Sequence, residues 1–102
     1  MKARGSERVP LRIPIRIEWQ GSPHDAATVV VNRGGALVLS PIAFPSEATL
    51  SLRNLETGGL GRFRVVWCGE EEAPEGRRVG IALLEEKVSF WGPEYEQSVA
   101  GA

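Results

Sequence analysis

Leu11-Arg12-Ile13-Pro14-Ile15-Arg16-Ile17-Glu18-Trp19-Gln20 alternates without a break. Leu11, Ile13, Ile15, Ile17 and Trp19 are apolar; Arg12, Pro14, Arg16, Glu18 and Gln20 stand between them. Successive side chains of a strand point to opposite faces, so a period of two with β-branched residues predicts a half-buried strand. Pro14 has no N–H to give to a ladder, which predicts an edge strand or a stretch with one unpaired side.

The same rhythm continues downstream. Gly21-Ser22-Pro23-His24-Asp25 predicts a turn. Beyond it, Ala27, Val29 and Val31 share one face of a strand, and Thr28, Val30 and Asn32 the other. Gly34-Gly35 follows; a glycine pair permits positive φ, so a tight turn or bulge is expected before the short buried strand Ala36-Leu37-Val38-Leu39. Pro41 and Pro45 bracket a loop. Ala48, Leu50 and Leu52 then alternate with Thr49, Ser51 and Arg53. After a turn-rich stretch from Asn54 to Gly59, Phe63, Val65 and Trp67 alternate with Arg62, Arg64 and Val66. The acidic run from Glu70 to Glu75 reads as an exposed loop, and Val79 to Leu84 as the last strand. Six strands at this spacing predict an all-β fold, a small antiparallel barrel.

After Leu84 the pattern changes. Glu85 to Trp91 reads as a short helix, and Pro93 opens another, because proline suits the first helical turn. Phe90, Trp91 and Tyr95 are the apolar anchors of this tail; they either cover the barrel or offer a face to a partner. The chain thus divides into a flexible basic N-terminal arm (residues 1–10), a barrel (11–85) and a C-terminal helical tail (86–102).

The sequence has 102 residues, with 42% hydrophobic and 25% charged. That suits one domain with one modest core. No apolar run is long enough to span a bilayer, and no signal-peptide type of hydrophobic stretch follows the basic N-terminus. A single cysteine, Cys68, allows no internal disulfide, so a reducing, cytoplasmic setting is expected. The net charge is −1, which argues against a general DNA or RNA binder. Its distribution is uneven, however. Lys2, Arg4, Arg8, Arg12 and Arg16 face only Glu7 in the first sixteen residues, whereas Glu85, Glu86, Glu94 and Glu96 face only Lys87 at the other end. Such asymmetry suggests a local anion site, an inter-segment contact or a solvated basic tail.

Catalytic chemistry finds little footing. His24 is the only histidine and lies in a turn-like segment. Cys68 ends a predicted strand and reads as a small packed residue. One cysteine and one histidine do not make a zinc site. The carboxylates of residues 70–75 share one loop, whereas acid/base pairs normally come from opposed elements. No phosphate-loop pattern with its lysine is present. The chain is therefore expected to be no enzyme and to carry no metal or cofactor. Arg33-Gly34-Gly35 is one RGG triplet, far from the repeats of an RNA-binding segment, and is equally a hairpin turn.

Two segments together resemble the PilZ family. Arg4-Gly5-Ser6-Glu7-Arg8-Val9-Pro10 is similar to the family's RxxxR motif ahead of the first strand. Thr28 to Ala36, with Asn32-Arg33-Gly34-Gly35 at its heart, stands in the place of the (D/N)xSxxG motif. Arg64-Val65-Val66-Trp67 and Val79-Gly80-Ile81-Ala82-Leu83 look like the family's late strands. RxxxR alone is weak, and Arg12 and Arg16 make a second such pair. The order of the segments carries the resemblance, which covers about residues 4–85.

The resemblance implies a six-stranded barrel that binds cyclic di-GMP, with Arg4, Arg8, Asn32 and Gly35 in the site. Arginine's planar, permanently charged fork can pair with phosphate, stack on a guanine or grip its O6/N7 edge. The second motif departs from the family pattern. Val30 stands where an Asp or Asn would accept hydrogen bonds from guanine, and Asn32 where a Ser is usual. Leaving a buried donor unpaired costs about 1–3 kcal/mol, or roughly one to two decades of affinity. Asn32 can substitute in part, since its amide both accepts and donates. The alternative implied is a degenerate domain that has lost the nucleotide and binds a protein. With either, output would run through an unidentified protein partner or self-association.

Overall fold

The computed structural model describes residues 8–71, 73–85 and 90–100. The expected arm therefore falls mostly outside the described residues, and Arg4 with it. The strands are β1 (Pro14–Trp19), β2 (Ser22–Asn32), β3 (Gly35–Ser40), β4 (Thr49–Asn54), β5 (Leu60–Cys68) and β6 (Arg77–Leu83), followed by helix α1 (Pro93–Ala100). They close into one antiparallel barrel in the order β1-β2-β3-β6-β5-β4. No helix among the described residues is long and apolar enough to cross a membrane.

The alternating strands explain the core. Ile13, Ile15, Ile17, Leu50, Leu52, Phe63, Val65 and Val79 are all buried, with their polar neighbours outside. Full burial of such a side chain contributes about 1.5–3 kcal/mol. A closed barrel has no edge, so of the two readings of Pro14 the edge strand is corrected and the one-sided stretch holds: Pro14 opens β1 opposite Ala27 of β2, and the register with β4 begins only at Ile15, although the Pro14 carbonyl accepts from Leu55 N (3.0 Å). The turn expected over residues 21–25 is also shorter than read. Gln20 and Gly21, with φ of 52° and 80°, make a two-residue hairpin turn, and Ser22 to Asp25 already pair with β1.

Two bulges change which side chains face in. The β2–β3 register shifts between Thr28 and Val30, and the β5–β6 register between Val65 and Trp67. Each inserts one extra residue, Val29 and Val66, and reverses the inside–outside phase beyond it. Thr28 therefore faces the core with Val31, not with Val30 and Asn32 as strict alternation would have it. Its hydroxyl donates to Leu11 O (2.6 Å) and accepts from Ile13 N (2.8 Å), replacing the ladder where the register slips. Thr28→Val keeps the shape and orphans both backbone groups. A loss of about 2 kcal/mol is expected in urea unfolding; a loss near zero would mean the hydroxyl is dispensable.

Aromatic residues close the barrel at both ends. At the end of the β1–β2 hairpin, Trp19 meets Phe44 edge to face, with ring centroids 5.2 Å apart. At the other end, Phe90 and Trp91 pack on Phe63, centroids 5.1 and 5.9 Å away. Asn54, fully buried, ties this cap down: its Nδ2 donates to Phe90 O (2.9 Å), while its Oδ1 accepts from Glu56 N (2.8 Å) and Thr57 N (3.3 Å). Gly92, with φ of 93°, then turns the chain into α1, whose buried anchor is Tyr95. Of the helix expected over residues 85–91, residues 86–89 lie outside the described residues, and Glu85, Phe90 and Trp91 are not helical.

Candidate functional site

The outer wall over β2, β3, β6 and β5 carries a groove of about 320 Å³. Its floor follows from the register. Val30 pairs with Leu37, Leu37 with Gly80, and Gly80 with Trp67, forming one row across four strands. One step along, Asn32 pairs with Gly35 and Gly35 with Ala82. Gly35, Gly80 and Ala82 have little or no side chain, so the floor is low between bulkier walls.

Trp67 forms one wall. Alternation from Phe63 and Val65 would bury it, but the bulge at Val66 turns it outward, and it is 47% exposed. Its indole lies on Gly80: a Cβ there would stand 2.6 Å from Nε1. A glycine inside a strand commonly marks such a close approach. With Val66, 44% exposed, it gives the groove an apolar, aromatic rim. Sequence reasoning missed Trp67 as a site residue. Gly80, in the middle of an otherwise apolar strand, was the available signal.

Arg8 stands at the opposite side. Val9 makes an antiparallel bridge with Val31, through Val9 N to Val31 O (2.8 Å) and Val31 N to Val9 O (2.9 Å). That bridge fixes the backbone beside β2 and leaves the exposed Arg8 on the groove. Asn32 lies at the end of β2. Its Oδ1 accepts from Gly34 N (3.0 Å), which fixes the amide orientation and leaves Nδ2 as its outward group. Its backbone carbonyl accepts from Trp91 Nε1 (2.9 Å), so the turn is joined to the barrel cap.

Gly35 also lines the groove, but its glycine requirement comes from elsewhere. The tight turn expected at Gly34-Gly35 is present, at Arg33-Gly34 between the paired Asn32 and Gly35, but it uses no positive φ: the positive-φ glycines are Gly21, Gly58, Gly76 and Gly92. A Cβ on Gly35 would stand 2.3 Å from Ile81 O. The residue lets β3 approach β6. Thus the groove brings together Arg8, Asn32 and Gly35 of the four expected site residues, and Arg4 lies outside the described residues.

The second arginine pair is placed elsewhere. Arg16 Nε donates to Asp25 Oδ1 (2.9 Å) across β1 and β2, and this hydrogen bond with the carboxylate's charge raises the Arg16 pKa above its usual value. Arg12 and Asp25 border a wider hollow of about 690 Å³, with Pro14, Leu39, Pro41 and Glu75. Its charges are of both signs and its walls are loop and strand surface, so volume alone does not make it the better site. His24 sits within β2, opposite Ile17, not in a turn as expected. Among the described residues no cluster of His, Cys, Asp or Glu is arranged to hold a metal ion.

Chemically, the groove offers a flat aromatic face, a guanidinium and an amide N–H on a low apolar floor. Such a set can hold a planar ring carrying acceptors or negative charge. Compared with protein-family models and with curated proteins, the chain matches none.

Proposed function

We propose that this chain is a non-enzymatic, cytoplasmic signalling domain of PilZ type that binds cyclic di-GMP in the groove between Trp67 and the Asn32–Gly35 turn. The observation that carries the reading is the convergence of Arg8 with the Asn32–Gly35 turn, more than twenty residues away in sequence, beside an exposed tryptophan. A guanine would stack on Trp67, and Arg8 would meet its O6/N7 edge or a phosphate. The groove is at the small end of the roughly 300–1,000 Å³ typical of small-molecule sites. A cyclic dinucleotide would therefore stand partly proud of it. Binding would change the surface offered to a protein partner.

Calorimetric titration of cyclic di-GMP at moderate salt tests this directly. Saturable binding is expected, weakened at least about tenfold by Arg8→Ala through the lost charge-assisted contact. Trp67→Ala is expected to cost a similar factor, since base stacking on an aromatic is worth about 1–3 kcal/mol. No heat and no thermal shift at several hundred micromolar ligand would sink the reading. The second reading, a protein-binding module without a nucleotide, rests on Val30 and the exposed Val66–Trp67 pair. Apolar side chains there would suit a protein surface, and a partner captured equally with and without cyclic di-GMP, but lost in Trp67→Ala, would favour it.

A further inference from the structure

The wall that carries the groove continues past Trp67. Val38, Val79 and Ile81 face the core, so Gly35, Leu37 and Leu39 of β3 and Ala82, Gly80 and Arg78 of β6 face outward. Leu39 stands one step beyond the Leu37–Gly80–Trp67 row and pairs with Ala27 on one side and Arg78 on the other. Here the wall sinks into a further hollow of about 360 Å³, floored by Leu39 and the bulged Val29 and bordered by Arg12 and Arg78. Both arginines are exposed, and the backbone of each is held in place. The Thr28 hydroxyl donates to Leu11 O (2.6 Å) and accepts from Ile13 N (2.8 Å), so both neighbours of Arg12 are tied to β2. Arg78 pairs with Leu39, and its carbonyl accepts from Gly69 N (2.8 Å).

The segment carrying Arg12 runs beside β2, so three strand spacings, about 14 Å, separate the two arginine backbones. Two long side chains reach the space between them from opposite sides. Like charges on one hollow raise its potential and favour an anion there, and the guanidinium fork matches a phosphate. The carboxylate of Asp25 lies further along β2 and is engaged by Arg16 (2.9 Å). The hollow also lies close to the stacking face. Gly80 sits under the Trp67 indole, and Arg78 is two residues further along β6, about 7 Å. A sugar joins base to phosphate across a step of that size. Resting on the proposed function, we infer that this hollow is the phosphate subsite of the bound nucleotide: Arg12 and Arg78 grip one phosphodiester while Trp67 holds the base. The wall is then used in order, with the base edge at Arg8 and the Asn32–Gly35 turn, the base face at Trp67 and the phosphate at Arg12 and Arg78.

The test is a set of calorimetric titrations of the full chain with cyclic di-GMP, at low and at high salt. Arg12→Ala and Arg78→Met are each expected to weaken binding at least about tenfold, the cost of a lost hydrogen bond to a charged group. Arg78→Lys should recover part of the loss, because it keeps the charge without the fork. Loss of either arginine should also flatten the fall of affinity with salt, a readout that a merely structural role would not move. Arg53→Ala, on β4 and away from this wall, removes the same charge and should stay within about twofold of wild type. Melting temperatures close to wild type confirm the fold of each variant. If Arg12→Ala or Arg78→Met binds like wild type, the inference falls and the receptor reading stands. An equal loss in Arg53→Ala would also overturn it, by reducing the effect to net charge. Absence of binding by the wild type would overturn both together.

Discussion

Phe63→Ala is expected to remove about 3–5 kcal/mol of stability, the range for truncating a buried aromatic. Small domains have only about 5–15 kcal/mol in total, so the variant should be largely unfolded near physiological temperature. Position explains why the effect sits at the top of the range. Phe63 is wholly buried, and both Phe90 and Trp91 rest on its ring. Phe90 in turn meets Trp91 edge to face at 4.7 Å and lies against Gly61. Truncation therefore opens a cavity in the barrel and takes away the floor of its cap at once. Urea unfolding followed by far-ultraviolet circular dichroism measures the loss, and near-ultraviolet spectra follow the aromatic cap. A loss below about 1.5 kcal/mol would mean that the cap and core repack around the missing ring.

Gly35→Ala is the second large effect, at about 2–3 kcal/mol of overpacking. The added methyl would stand 2.3 Å from Ile81 O and 3.3 Å from Ala82 Cα, and both are backbone atoms of β6. No side-chain rotation relieves that clash; β3 and β6 must part. For a domain of this size the melting temperature should fall by roughly 10–20 °C. Any accompanying loss of ligand would then be a consequence of the wall's distortion. Arg8→Ala makes the contrast, since Arg8 is exposed and its removal should leave the melting temperature nearly unchanged. A stable Gly35→Ala that no longer binds would place Gly35 in contact with the ligand after all.

Much of the barrel is legible in the alternation, because a core inside a closed sheet demands apolar residues at every second position. The three isoleucines at 13, 15 and 17 say this for β1 and the residue before it, and all are buried. The bulges are not legible. Thr28-Val29-Val30-Val31 is an unbroken β-branched run, and threonine suits a strand as well as valine does, so nothing in the pattern marks where the phase reverses. Val65-Val66 hides the second bulge in the same way, and with it the outward turn of Trp67. The site was legible where glycine and polar residues interrupt the pattern, at Asn32 and Gly35, and in the arginine spacing that singled out Arg8. Gly35 was read for its backbone freedom, yet its constraint is the neighbouring strand, a tertiary fact that one sequence does not carry. Pro23 and Asp25 misled for the opposite reason: their turn-forming chemistry is overruled by pairing with β1.

The strand order also has a kinetic consequence. Four of the ladders join neighbours in the chain, and they build two three-stranded meanders, β1-β2-β3 and β4-β5-β6. Only β1–β4 and β3–β6 join one meander to the other. Neither half can bury its apolar face alone, and each would expose two open rims until the other arrives. Joining them seals four rims in one event, at the loop-closure cost of distant pairings. Folding should therefore be cooperative and slow for so short a chain, roughly milliseconds to seconds as for other barrels rich in non-local pairings. The cap, built on Phe63 and on the turn at Asn32, draws on both halves and can dock only once the seams have closed.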